Sequence, residues 1–212
     1  HELGFGGNVN NYYDPSNSYL HEVLRTRRGI PITLAIIYVE IATQLGLRIH
    51  GISFPGHFLV KLSMHSGPHN GEVVIDPFTG KSLSRDELDD RLVPYKRSQG
   101  LIGEFDAPLG LFLQAAPPRE ILARMLRNLK EIHSSAEDWP RLLRVLNRLV
   151  VLLPQAHEEL RDRGLAWAEL GQTDKAAEDF ETYLRNRPDA NDSTAMAEQL
   201  ARLRRGEQPR FH

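Results

Sequence analysis

No cysteine occurs among the 212 residues. That absence excludes disulfides and thiolate chemistry together, because both a cysteine nucleophile and a sulfur metal ligand require a deprotonated thiol. Charge of one sign is also lacking: 26 Lys and Arg stand against 28 Asp and Glu, a formal net charge of −2. Nucleic-acid-binding domains carry a basic patch or stripe, so neither DNA nor RNA is an expected partner. Long apolar runs are missing too. The longest, LAIIYV, falls far short of the roughly 20 residues of a membrane-spanning helix, so no membrane partner is expected. With no secretory signal and no disulfide framework, a reducing, cytoplasmic setting is expected. The chain opens on HELGFGGN without an initiator Met and reads as a fragment whose N-terminal portion is missing.

What is present is ordinary globular material, 41% hydrophobic and 25% charged, enough for one large or two small domains. Residues 1–16 are polar and turn-rich, with Asp14-Pro15 as a turn initiator. Asn17 or Ser18 is expected to cap a short helix, with Glu22 near capping-box distance of Ser18, ending around Arg27, Arg28 and Gly29. IPITLAIIYVEIATQLGL carries apolar residues on nearly every face and predicts a buried central helix, with Pro31 in its first turn and Gly46 at its stop. Strands follow over 48–53, 57–63 and 72–76, the last two joined by the loop SGPHNG. A hairpin tip at Ser66 and Gly67 would place His57 directly opposite Asp76.

Composition changes over 93–118, where Pro, Gly and short apolar patches predict a connector that packs. Beyond Pro118 the pattern is helical. Pro154 and Pro188 stand 34 residues apart, the period of a tetratricopeptide repeat. In the second repeat Gly164, Trp167, Gly171, Ala176, Phe180 and Pro188 occupy its small, large, turn, small, large and stop positions. The first repeat is degenerate: Trp139 follows its turn, but Lys130 stands where a small residue is expected. ANDSTAMAEQLARLRRG then predicts a capping helix. The expected organisation is 1–105 as an α+β domain, 106–116 as a packed connector and 117–206 as an all-helical repeat domain.

His57 and Asp76 are two thirds of a nucleophilic triad. In papain-like and transglutaminase-like enzymes a cysteine at the start of a buried helix precedes the histidine and its orienting carboxylate. This chain has that order without the cysteine. The phrases GFGGNVNNYYDPSNSYLHEVL, RRGIPITLAIIYVEIATQLGL, FPGHFLVKL and VVIDPF resemble the bacterial SirB-one family. That resemblance covers nearly the whole chain and implies a transglutaminase-like domain (papain-like cysteine-protease type) followed by tetratricopeptide repeats. It also implies a helical segment ahead of HELGFGGN. Set against the general transglutaminase pattern, Gly29 and Gly46 align without a gap and the catalytic cysteine falls on Pro31. Proline has no nucleophilic atom in its side chain.

Thr33 is the candidate substitute, since a histidine base can activate a hydroxyl. It is equally the right type to bond helix-start backbone groups. His57 and Asp76 are either a base held in one tautomer or a hydrogen bond joining two strands, left from an ancestral enzyme. His50, His57, His65, His69 and Asp76 all lie near the hairpin, but His65 and His69 sit in a loop with no helical i, i+4 geometry to aim them, so no metal or cofactor is expected. Arg25, Arg27 and Arg28 read as charges complementing a helix C-terminus. Tyr12, Tyr13 and Phe5 either line the old substrate cleft or belong to the core. Two functions follow, the first favoured because the chain lacks the nucleophile and the second its alternative. One is a non-catalytic interaction or regulatory module binding a protein or peptide through its repeats. The other is a hydrolase or acyl-transfer enzyme on peptide or amide bonds, using His57 and Asp76 with Thr33, water or a metal.

Overall fold

A computed structural model describes residues 3–66, 69–101 and 106–206, with the side chains of 65, 66, 69 and 70 outside that description. Two compact units divide at Ile121 and Leu122. The first is α+β. Its two-residue strands β1 (Gly6–Gly7) and β2 (Arg28–Gly29) pair in parallel. Between them Asp14 accepts a hydrogen bond from the Ser16 N–H and starts a 3₁₀ turn over Pro15–Ser18. Ser18 is buried in that turn and caps nothing, contrary to the capping role expected of it. The physical cause is the Asp14-Pro15 pair, which takes over initiation three residues earlier. Helix α1 (Leu20–Thr26) follows, and Glu22 pairs with Arg25 at 2.6 Å on its surface.

Helix α2 (Pro31–Gln44) begins on proline and stops before Gly46, whose φ of +77° suits glycine. Its first turns are buried as expected, but its C-terminal half is largely exposed. Strands β3 (Arg48–Ile52), β4 (Leu59–Ser66), β5 (His69–Asp76) and β6 (Lys81–Leu83) form an antiparallel meander. Val60 pairs with Ile75 and Ser66 with His69, so the hairpin register lies one residue beyond the expected one. The tip at 67–68 lies outside the described residues. A shift of one residue on each strand preserves the alternation of faces, so the consequence for His57 is small.

One face of the meander buries Ile52, Leu59 and Val74 against Leu88 and Leu92 of α3 (Arg85–Ser98) and Leu109 of the short α4 (Leu109–Phe112). Helix α3 was not expected from the sequence. Its signal was there: Ser84 and Glu87 form a reciprocal capping box, with Ser84 Oγ accepting from the Glu87 N–H at 3.2 Å. Pro94 lies inside the helix and obscured the pattern. The stretch 106–116, expected as a connector, belongs to the first unit, where Ala116 N–H donates to the Gly51 carbonyl.

The second unit is helical among its described residues. Helix α5 (Pro118–Ser135) crosses the division, followed by α6 (Trp139–Leu152), α7 (His157–Glu169), α8 (Thr173–Asn186) and α9 (Ser193–Arg204). Gly164 is required by close packing: a Cβ there would lie 2.6 Å from the Phe180 ring. Ala176 and Phe180 are fully buried in a core closed by Leu200 and Leu203 of α9. Lys130, at the equivalent of Gly164, instead donates to the buried carboxylate of Glu159 at 2.7 Å. Tyr183 Oη donates to Asp192, which also pairs with Arg161 at 2.7 Å, tying α7, α8 and the entry to α9 together.

Candidate functional site

His57 stands in the turn that precedes β4, where the His57 N–H donates to the Phe54 carbonyl at 3.1 Å. From there its ring crosses diagonally to Asp76 at the end of β5. The His57 Nε2 to Asp76 Oδ1 distance is 2.8 Å, and the aspartate side chain is only 3% exposed against 23% for the histidine. Asp76 Oδ1 also accepts the Phe78 N–H at 2.9 Å, and Arg91 of α3 reaches Oδ2 at 3.6 Å. Burial alone would raise the carboxyl pKa. The hydrogen bond and charge of His57, then the Phe78 N–H and the Arg91 guanidinium, outweigh it and hold Asp76 down to about 2. An ionised carboxylate can only accept, so the His57 Nε2–H donates to Asp76 Oδ1.

The two residues are therefore brought together as expected from the sequence. Arg91 was missed, because α3 itself was missed. Phe78 continues the site toward the start of α2. Its carbonyl accepts from the Gly7 N–H at 3.1 Å, and a Cβ at residue 7 would lie 2.4 Å from its ring. Gly7 pairs with Gly29, and Gly29 leads through Ile30 into Pro31. At Gly29 a Cβ would approach Thr33 Oγ1 to 2.8 Å and Val23 to 3.0 Å, so the glycine admits the packing of the helix start. Tyr12 edges toward Phe78 at 6.0 Å between centroids, while Tyr13 is 75% exposed.

Thr33 is fully buried. Its hydroxyl accepts from the Ile30 N–H at 3.2 Å, and its single proton is shared between the Asn17 carbonyl at 2.8 Å and the Ile30 carbonyl at 3.0 Å. Asn17 is itself a buried hub missed in the sequence. Its Nδ2 donates to the Asn11 and Tyr12 carbonyls, and its Oδ1 accepts from Asn8. Pro31 is buried at the first helical position, where its missing N–H leaves nothing unbonded. Among the described residues, His57 has no hydroxyl, amine or thiol partner beside Asp76.

No group of three or more His, Cys, Asp or Glu side chains could hold a metal ion among the described residues. His50 faces Lys61 across the β3–β4 ladder, and burial followed by the Lys61 charge pushes its imidazole pKa down. The His65 and His69 side chains lie outside the described residues. No helix among them is long and apolar enough to cross a membrane.

A family model described as transglutaminase-like superfamily matches residues 1–127, and one described as tetratricopeptide repeat matches residues 129–201. A UPF0162 protein of Xylella fastidiosa is 43% identical over 190 residues, covering 88% of this chain and 64% of the relative. A UPF0162 protein of Vibrio cholerae is 28% identical over 213 residues, covering 100% of this chain and 75% of that protein. F-box only protein 21 of Homo sapiens is 45% identical over 60 residues, 28% of this chain and 10% of that protein. The chain thus spans less than two thirds of the length of the Xylella relative. No solved structure matches it.

Proposed function

The chain belongs to the transglutaminase-like superfamily, joined here to a tetratricopeptide-repeat unit, and from that premise we propose that it is a non-catalytic interaction module of the cytoplasm. Its partner is a protein or peptide held by the helical repeats, a use to which stacked helix pairs are generally put. The observation that carries this reading is Pro31 at the first position of α2, where the ungapped pattern requires a thiol. Covalent acyl transfer needs a nucleophile, and hydrocarbon offers none. Thr33 does not supply the lack, since its hydroxyl already serves backbone groups on both sides. A base with no group to deprotonate adds nothing to a covalent step, so the His57–Asp76 bond serves to fasten the β4 entry to the end of β5.

The test is turnover. The full-length protein should hydrolyse no peptide, amide or ester above buffer background, and a captured partner should crosslink within α5–α9. Reproducible turnover that disappears in folded His57→Ala or Thr33→Ala protein would overturn the reading in favour of a hydrolase.

A further inference from the structure

Helix α6 carries three arginines and neither Asp nor Glu over Trp139–Leu152, in a chain whose formal net charge is −2. Arg141, Arg144 and Arg148 recur at i, i+3 and i+7, so they share one side of the helix, and all three are exposed. Val151, 80% exposed, ends the same stripe. Leu142, Val145, Leu146 and Leu149 take the opposite side and are buried. The stripe does nothing for the helix that bears it. Arg144 and Arg148 are four residues apart, where like charges repel. The last turn, where a cation would complement the macrodipole, holds none.

Internal carboxylates do not account for it. Arg141 pairs with Asp138 at 2.8 Å, but among the described residues Arg144 and Arg148 meet no carboxylate, and the Arg148 guanidinium donates to the Arg144 carbonyl at 2.8 Å. In the first turn of α7, which packs on α6, Glu158 and Glu159 are taken by Arg187, Arg127 and Lys130. Positive charge that works against its own helix and finds no internal partner fits an external one. A guanidinium grips a carboxylate through two parallel hydrogen bonds, and arginine, not lysine, is the cation enriched at protein interfaces. Three cations along about 10 Å of helix make too few phosphate contacts to hold a nucleic acid. Resting on the reading that the repeats hold a protein or peptide, we propose that the outer side of α6 binds an acidic segment of that partner. Asp or Glu side chains of the segment meet Arg144 and Arg148, and an apolar side chain meets Val151.

Fluorescence anisotropy of a labelled peptide of repeating Glu-Leu-Glu, titrated with the full-length protein, tests this. The peptide should bind, more weakly as salt is added, and Arg148→Glu should reduce the affinity by about tenfold or more. Arg148→Ala, with a loss of about threefold or more, replaces it if the reversed charge prevents folding. Arg185→Glu makes the same change of charge at an exposed position of α8, outside the stripe, and should leave the affinity within about twofold. No binding of the peptide, an equal loss in Arg185→Glu, no loss in the Arg148 variant, or an equal response to single-stranded RNA overturns the proposal. A partner that crosslinks within α5–α9 and still binds Arg144→Glu and Arg148→Glu protein refutes this inference alone, whereas turnover lost in His57→Ala refutes the reading beneath it.

Discussion

Asp76 shows how one carboxylate can be closed to solvent and still remain charged. His57 at 2.8 Å, the Phe78 N–H and Arg91 together replace the water it has lost. Its pKa, about 2 against an ordinary 3.8, lies below the unfolded value. The pair's contribution is therefore whole above about pH 4 and disappears as pH falls through about 2. The size of that contribution is about 2 kcal/mol. Urea denaturation between about pH 2 and pH 5 should show this loss in the wild type and a flatter profile in Asp76→Asn; equal profiles would disprove the linkage. His57→Ala should cost about 1–3 kcal/mol at neutral pH by leaving a buried carboxylate without its donor, read as a lowered denaturation midpoint. His57 and Asp76 were legible as a pair because residue types and order sufficed. Arg91 and Asn17 were not, since each acts through contacts that join segments distant in sequence.

At the scale of elements, the helical repeats offer an internal control. Gly171 has φ of +72°, and Glu137, 34 residues earlier at the same turn of the preceding repeat, has φ of +51°. The geometry of the turn is thus set by the packing of the helices it joins, and Glu137 is held in the left-handed region against its own preference. Glu137→Gly should raise stability by about 0.5–1 kcal/mol, the relief of strain exceeding the added backbone entropy. Chemical denaturation with an unchanged slope would measure it, and a lower midpoint would contradict it. The 34-residue period exposed this element pair in the sequence, whereas α3 stayed hidden because Pro94 outweighed the Ser84 and Glu87 capping signal. Helix α2 misled in the opposite sense. An all-round apolar pattern predicts a helix buried along its whole length, whereas α2 is enclosed mainly over its first turns.

For the whole molecule, the balance of 26 cationic and 28 anionic side chains carries its own expectation. Cations such as Arg161, Arg163, Lys130 and Arg127 are paired with Asp192, Asp179 and Glu159, so they are not massed for phosphates. Titration of a labelled DNA or RNA oligonucleotide at physiological salt should leave its anisotropy unchanged, and salt-dependent binding at micromolar protein would refute this.

The sequence by itself determined the α+β domain, the helical repeats and their period, the order of helix, histidine and aspartate, and the absence of any thiol. These are local facts of residue type and spacing, which short-range geometry reads directly. Only the tertiary structure decided that the hairpin pairs Ser66 with His69, that Arg91 completes the surroundings of Asp76, and that the Thr33 hydroxyl serves Asn17 and Ile30. Register, ion pairing across elements and the direction of a buried hydroxyl depend on which surfaces meet. That is settled by packing the whole unit, since each contact joins residues whose separation along the chain leaves no local trace.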